Sequence, residues 1–463
     1  MPRPASKTAR ALVDRAARAA ADIWAVVKFA TSAVISPVGV LFVAWRAARN
    51  YALAKERIPE FPAQIAALDS RLGLPAPNNR VRRLPDHIPM FISSDLHRCF
   101  PGRRDVCEHQ DVKRLYAAVL DHYADAGWDV VENGDVEDYW MVGGSPYGQW
   151  YDAARVLGRL VPGRAGLGLR RALFRRHLRL IMENNVGVAV RIARLGRAGR
   201  YHRTVGNHDD VYLDRTLAAN LAARCGGSEP VDFIVLYEPD GSASAVITHG
   251  HQTDGWNAAG RSGLGRLATW VGNTISDVPG LESPDSMLPL SATLDLLEGR
   301  LPNRLLQVNT RFGTNTKYDS VDEELLFDAF GGAAAAGPWL LMGHTHLPVL
   351  QPMSRTGVPW RRYANSGNGT WAGMVTGVEW TGGADPHPVV VAWLWTDLPG
   401  VADLIPAGAI SITLGDRQVA RVVMRRSASG TKLEIDPSAT EQWPPAPTAA
   451  GTTPAAAAAA AAR

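Results

Sequence analysis

The sequence predicts a layered α/β domain, because strands and helices alternate in its first half and strands dominate its second half. Short apolar runs at 90–92 and 128–131 flank residues 112–126, in which apolar side chains recur at helical spacing. A second helix is predicted over 169–195. Later strand-like runs cover 233–238, 243–248, 339–342, 389–394 and 409–414. This order argues against a helical bundle or a barrel.

The composition excludes several protein classes. With 463 residues, of which 46% are hydrophobic and 20% charged, the chain is neither intrinsically disordered, nor a disulfide-stapled miniature, nor a polytopic membrane protein. Of its 49 cationic residues 43 are arginine, whose forked guanidinium suits phosphate or carboxylate. The three cysteines favour a reducing compartment, and we expect the protein in the cytoplasm.

Four segments are predicted along the chain. Residues 1–85 form an N-terminal helical segment and a linker, which the Pro- and Asn-rich stretch 74–89 indicates. The main domain covers 86–400, and strands at 401–440 complete or flank it. Residues 441–463, rich in Pro and Ala, are expected to be disordered.

The N-terminal segment has two interpretations. Residues 29–45 contain no charge, lie between basic flanks and carry Pro37 and Gly39 in the middle of the run. Residues 23–45 are therefore either a membrane-associated hairpin or anchor, or an amphipathic helical pair packed on the main domain. The first interpretation places the protein at the membrane, peripheral or anchored.

Five short polar clusters, each at the end of an apolar run, are the strongest functional signal. They are Asp95-Leu96-His97, Gly134-Asp135-Val136-Glu137-Asp138, Gly206-Asn207-His208-Asp209, His249-Gly250-His251 and Gly343-His344-Thr345-His346. Ligands bind at strand ends in α/β sheets, and residues i and i+2 of an extended segment point the same way. We therefore expect Asp95 to share a site with His97, and His344 with His346.

The candidate ligands are imidazoles, carboxylates and one amide, without a thiolate. This set suits divalent transition-metal ions such as Mn, Fe, Zn or Co. Seven candidates are too many for one ion, but they suit two ions that share a carboxylate. Such a pair stabilises both the attacking and the leaving oxygen in phosphoryl displacement.

The five clusters resemble the signature of the calcineurin-like metallophosphoesterase superfamily, D-x-H, G-D-x-x-[DE], G-N-H-[DE], H-x and G-H-x-H. The resemblance covers about residues 86–397 and implies a four-layer αββα sandwich with helical insertions. It also implies the ligands of two ions. The first ion is held by Asp95, His97, Asp135 and His346, and the second by Asp135 as the bridge, Asn207, His249 and His344.

The same resemblance implies a reaction, the hydrolysis of a phosphodiester, pyrophosphate or phosphomonoester. A hydroxide that bridges the two ions attacks phosphorus, and His208 protonates the leaving oxygen as general acid. Asp209 is expected to fix the tautomer of His208, and Gly134 and Gly206 to permit sharp turns beside the metals. The alternatives are a nuclease acting on DNA or RNA, and a membrane-surface scaffold with a vestigial site.

The motif details favour one branch of the superfamily. GDVEDYW, at 134–140, lacks the Arg-Gly that follows the second acid in protein phosphatases, and GNHD replaces their GNHE. Residues 129–140, 247–254 and 363–371 look more like the bacterial branch of UDP-diacylglucosamine pyrophosphatases and small phosphodiesterases.

Two insertions are predicted to set specificity. Residues 164–203 hold eleven arginines and one acid, which form either a solvated helix face or a surface for a phosphate-rich partner. Nucleic acid is disfavoured there because few aromatic residues lie among the arginines. Residues 254–318 form either a helical cap or an apolar lid over a lipid-bearing substrate. The expected partners are a phosphate-ester small molecule or lipid-linked substrate, and an anionic membrane surface.

Overall fold

The computed structural model describes residues 80–439 with gaps. The gaps are 103–104, 141–150, part of 152–159, 228, 252–265, 267–288, 302–305, 310–315, 320–336 and 353–359. The predicted membrane-associated segment 23–45, most of the 254–318 insertion and the tail 441–463 therefore lie outside the described residues. Within the described ranges, no helix combines the length and apolar character needed to cross a membrane.

The described elements follow the predicted alternation. The strands are β1 Val81–Pro85, β2 Met90–Ser93, β3 Asp129–Asn133, β4 Tyr201–Thr204, β5 Phe233–Tyr237, β6 Ala243–Ile247, β7 Leu306–Asn309, β8 Thr316–Asp319, β9 Trp339–Met342, β10 Pro348–Leu350, β11 Tyr363–Ser366, β12 Met374–Trp380, β13 Pro388–Trp395, β14 Ile410–Leu414, β15 Arg417–Arg426 and β16 Leu433–Ile435. The α-helices are α1 Val106–His109, α2 Lys113–Asp125, α3 Gly163–Asn184, α4 Val186–Arg197, α5 Arg215–Cys225 and α6 Leu290–Leu297. Short 3₁₀ turns occur at Asp210–Leu213 and Ala402–Leu404.

The strands form two large mixed sheets. One has the order β1-β5-β6-β9-β11-β10, and the other β14-β15-β13-β12-β2-β3-β4, with β16 paired to β15. Strands β2, β3 and β4 are mutually parallel, as are β6, β9 and β11. β7 and β8 form a separate antiparallel pair. The C-terminal strands β14 to β16 extend the second sheet through the pairing of β15 with β13.

The core lies between the two sheets and on the outer face of the second. Met90 and Ile92 point toward the first sheet, whereas Phe91 between them packs with the helices, as the twofold alternation of a strand requires. The same alternation separates Ala392 from Trp393 on β13. Helices α2, α4 and α5 contribute to the outer core. The fold is thus α/β with two packed mixed sheets, and the complete four-layer sandwich stays a prediction.

Two predicted boundaries are wrong. The linker predicted over 74–89 ends earlier, because β1 pairs in parallel with β5, so the folded domain begins before Asp86. The single helix predicted over 169–195 is two helices, α3 and α4, which are interrupted at Asn185. The Asn185 side chain donates to the carbonyls of Cys99 and Ile181, 3.2 and 2.8 Å away, and such local bonding competes with the helix ladder. Leu169, the first residue of the predicted helix, is 42% exposed.

Candidate metal centre

The five polar clusters meet at one edge of the two sheets. Each follows a strand, namely β2, β3, β4, β6 or β9, at its carboxyl end. Three groups of side chains could hold a metal ion, each with ligand atoms within 4.8 Å of one another. They are Asp95 with His97 and His346, Asp135 with His249 and His344, and His97 with Asp138 and His208. Asn207 joins the second group, with its Oδ1 3.2 Å from His249 Nε2. All seven predicted ligands therefore lie together.

The backbone at these residues adopts an unusual conformation. Among the described residues, seven that are not glycine have positive φ, and five of them are predicted ligands: Asp95, His97, Asp135, His344 and His346, with φ between 46° and 70°. Positive φ is uncommon for a residue with a Cβ atom, although Asp and His adopt it more often than most residues do. Such strain persists only where surrounding structure imposes it, and it concentrates at functional sites.

Three glycines allow the ligand side chains to approach the backbone. A Cβ on Gly206 would lie 2.1 Å from Asp135 Oδ1, and one on Gly134 would lie 2.5 Å from His249 Cγ. A Cβ on Gly343 would lie 2.8 Å from Asp95 Oδ2. Gly134 has φ +78, as its predicted role in a turn requires. Gly206 and Gly343 are needed for space rather than for positive φ, a role that the sequence interpretation missed.

The two acids of the cluster each have one oxygen fixed and one facing imidazoles. The backbone N–H of His344 donates to Asp95 Oδ2 at 2.9 Å, and that of His208 donates to Asp135 Oδ1 at 2.7 Å. Asp95 Oδ1 is buried and accepts no hydrogen bond, although His346 Nε2 lies 3.2 Å away. Asp135 Oδ2 lies 3.3 Å from His249 Nε2. The remaining oxygens therefore point into the same polar space.

Hydrogen bonds at Nδ1 orient the imidazoles of His97 and His249. His97 Nδ1 lies 2.8 Å from Asp138 Oδ2, and His249 Nδ1 lies 2.9 Å from the carbonyl oxygen of Asn133. Both oxygens accept a hydrogen bond from Nδ1–H, so the Nε2 atoms face the cluster. His97 Nε2 and His346 Nε2 are only 3.3 Å apart. A second partner that fixes the ring in this way is typical of metal-binding histidines.

The electrostatics of the cluster suit cations. Burial disfavours a charge on Asp95, but His249 and His346 outweigh it and lower the pKa of Asp95 to about 2. Against the same burial effect, Asp135 and Asp95 raise the pKa of His249 to about 10. The carboxylates therefore favour positive charge beside them. Divalent cations compete with protons for such ligands, and the donor set of carboxylates, imidazoles and an amide fits transition-metal ions.

The predicted partner of His208 is wrong. His208 Nδ1 contacts Asp138 Oδ2 at 2.9 Å, whereas Asp209 accepts from the backbone N–H of Val136 and Gly206 and from Arg203. Asp209 faces away because it belongs to a buried ion network. Despite burial, Asp138 and then Asp135 raise the pKa of His208 to about 9, so the ring is cationic at neutral pH.

Sequence reasoning missed two residues beside His208. The Asp138 carboxylate is hydrogen-bonded to the Nδ1 atoms of both His97 and His208. The place of Asp138 in the G-D-x-x-D motif is the one sequence signal that could have indicated this role. The Trp140 ring stacks on His208, with ring centroids 4.3 Å apart, and its backbone N–H donates to Asp138 Oδ1 at 2.7 Å. The two residues hold His208 between a carboxylate and an aromatic face.

Behind the candidate metal centre lies a buried ion network. Arg98 bridges Glu132 and Glu137 at 3.0 and 2.9 Å, and Arg203 bridges Glu137 and Asp209 at 2.5 and 2.6 Å. All five residues are at most 4% exposed. Against the burial effect, Arg203 and Arg98 lower the pKa of Glu137. The network therefore fixes three of the five segments that carry predicted ligands, those that follow β2, β3 and β4.

Several arginines of the 164–203 insertion bind to the protein itself. Arg171, Arg191 and Arg194 form ion pairs with Asp214, Asp121 and Asp125. Arg200 donates to the carbonyls of Ala124 and Trp128, and Arg203 belongs to the buried network. Much of the basic segment is thus anchored to the domain, and its contact with an anionic membrane stays a prediction.

Comparison with protein-family models and with curated proteins finds no match to this chain. A function must therefore be argued from the geometry of the site.

Proposed function

We propose that the chain is a hydrolase of phosphate esters that depends on two divalent transition-metal ions. The observation that carries the proposal is the coincidence of strained backbone with the cluster: five of the predicted ligands hold positive φ to aim their side chains at one buried space. A structural cluster of histidines and acids does not require that cost.

The proposed ligands form two sets, one for each ion. Asp95, His97, Asp135 and His346 would hold the first ion, and Asp135, Asn207, His249 and His344 would hold the second. The ions, when bound, lower the pKa of water and neutralise phosphate oxygens.

His208 is the proton donor for the leaving oxygen. Its Nδ1 faces Asp138, which leaves Nε2 to carry the transferred proton, and its raised pKa keeps the donor form at neutral pH. Trp140 limits the motion of the ring by stacking.

The test is hydrolysis of aryl phosphate monoesters and diesters by the full chain supplied separately with Mn, Fe, Zn and Co. We expect metal-dependent turnover with at least one ion. Failure with every ion and both ester classes would disprove the proposal.

The role of His208 is tested by His208→Ala on aryl esters whose leaving groups differ in pKa. General-acid catalysis contributes about 10²–10⁴-fold, and most with poor leaving groups. We expect full metal content and a rate deficit that grows with leaving-group pKa. Loss of a metal ion from this variant would show that His208 is a ligand instead.

A further inference from the structure

A cavity of about 480 Å³ lies at the end of the sheets opposite the candidate metal centre. Its lining includes residues that precede or begin parallel strands: Asp86 before β2, Ser244 as the second residue of β6, Trp339 at the start of β9 and Arg362 before β11. Three of the polar clusters follow the other ends of β2, β6 and β9. A five-residue strand separates the two ends by roughly 16 Å. The cavity is therefore distinct from the metal centre, and its volume is that of a small-molecule site.

One wall of this cavity carries a buried acid without a partner. Asp86 is 4% exposed, and within the described ranges its carboxylate forms no hydrogen bond or ion pair. Its backbone is fixed, because the Trp380 indole N–H donates to the Asp86 carbonyl at 2.7 Å and the Asp86 N–H donates to Tyr237 at 3.0 Å. Glu238 and Asp385 add two exposed carboxylates at the rim. The Asp86 oxygens keep access to the cavity, so together with the two rim carboxylates they suit this side of the cavity to a cationic group.

The opposite charge is present in the same cavity. Arg362 is half-buried, and its guanidinium has no partner among the described residues, Asp86 included. Trp339 is also half-buried and lines the same space, and an indole face attracts ammonium groups. The separated carboxylate and guanidinium require a ligand that carries both charges.

We infer that this cavity binds a small zwitterion, with its ammonium group at Asp86 and Trp339 and its acid group at Arg362. A metal ion does not fit, because the described groups close enough to hold one lie at the opposite end of the sheets. A simple amine leaves Arg362 without a counter-charge, and a simple acid leaves Asp86 without one. The site is independent of the proposed hydrolysis.

Calorimetric titration of the full chain with three probes tests the inference. Glycine betaine carries both charges, choline only the cation and acetate only the anion. We expect betaine to bind, choline to bind about tenfold or more weakly, and acetate not to bind, because a charge-assisted bond at Arg362 is lost with choline and the cationic contacts are lost with acetate. Absence of betaine binding, or equal binding of all three probes, would overturn the inference.

Substitutions of Asp86 and Arg362 test which charged group of the ligand each residue binds. Asp86→Asn is expected to abolish binding of betaine and choline. Arg362→Gln is expected to reduce betaine binding to the choline level while choline binding stays unchanged, a pattern that general damage to the fold does not produce. Ala384→Trp fills the cavity from its exposed rim and should block both probes without altering Asp86. The matched control is Asp403→Asn on an exposed surface turn. Wild-type betaine affinity in Asp86→Asn or in Ala384→Trp would contradict the assigned site.

Discussion

The candidate metal centre and the ion network behind it are both buried clusters of charged side chains, yet they are compensated in opposite ways. In the network every carboxylate faces an arginine of the chain, as Glu137 does between Arg98 and Arg203. In the metal centre Asp95 and Asp135 face imidazoles. The charge of a buried carboxylate that is paired with arginine is compensated by the chain itself. A carboxylate that is surrounded by imidazole Nε2 atoms can still bind a cation.

Neighbouring residues of the same motif serve the two regions. His97 points to the metal centre and Arg98 to the network; Asp135 and Glu137 divide in the same way. His208 and Asp209 are the third such division. Three of the five ligand-bearing segments, those that follow β2, β3 and β4, are therefore held by ion pairs of the network behind the metal centre.

The largest expected difference comes from neutralising one acid in each region. Asp135→Asn removes the carboxylate that we propose both ions share. We therefore expect loss of both metals and a fall in hydrolysis of about 10³-fold or more, since several kcal/mol of charge stabilisation are lost. Glu137→Gln weakens the pairing of two buried arginines, and we expect a loss of about 3–5 kcal/mol in unfolding free energy. Metal content, turnover and urea unfolding measure the two effects.

Similar behaviour of these two variants would contradict separate roles for the metal centre and the ion network. If Glu137→Gln bound no metal at a denaturant concentration at which it is folded, or if Asp135→Asn retained both ions, the two clusters would not be separate.

A smaller effect is expected at a glycine that lies against a ligand. Gly206→Ala forces a methyl group onto the Asp135 carboxylate, and we expect metal affinity to fall about 10–100-fold, as when an outer partner of a ligand is disturbed. The matched control is Gly168→Ala in α3, where nothing lies within 4 Å, and where alanine should stabilise the helix by about 0.5–1 kcal/mol. Equal metal affinity in both variants would show that the close contact at Gly206 does not matter.

The smallest expected effect concerns the pH dependence of His208. The Asp138 carboxylate raises the pKa of this ring, so Asp138→Asn lowers that pKa and the acid form is lost at a lower pH. We expect the alkaline limb of turnover to move to lower pH in Asp138→Asn. Asp209→Asn is expected to leave the limb in place, because Asp209 bonds to Arg203 and to backbone N–H groups. A shift in Asp209→Asn alone would restore the role that the sequence suggested.

The sequence predicts the ligands because short motifs follow apolar strands. The runs at 90–92 and 339–342 are β2 and β9, and the side chains after them meet at one edge. The resemblance to metallophosphoesterases grouped Asp95 with His346, which lie 251 positions apart in the sequence. The structure places Asp95 Oδ1 3.2 Å from His346 Nε2.

What the sequence could not predict depends on long-range contacts. β1 resembles a linker because its polar residues gain strand structure only by pairing with β5. The role given to Asp209 failed because adjacency in sequence does not reveal that Arg203 holds this carboxylate elsewhere. The space requirement of Gly206 likewise depends on Asp135, which lies on a different strand end.

The most direct test of the central claim is the number of ions that the purified full chain binds. Equilibrium dialysis against Mn²⁺, with metal counted by mass spectrometry, should give two ions per chain in the wild type. Two ions accompanied by hydrolysis of an aryl phosphate support the account. A wild-type chain that is folded but binds no Mn, Fe, Zn or Co would contradict it.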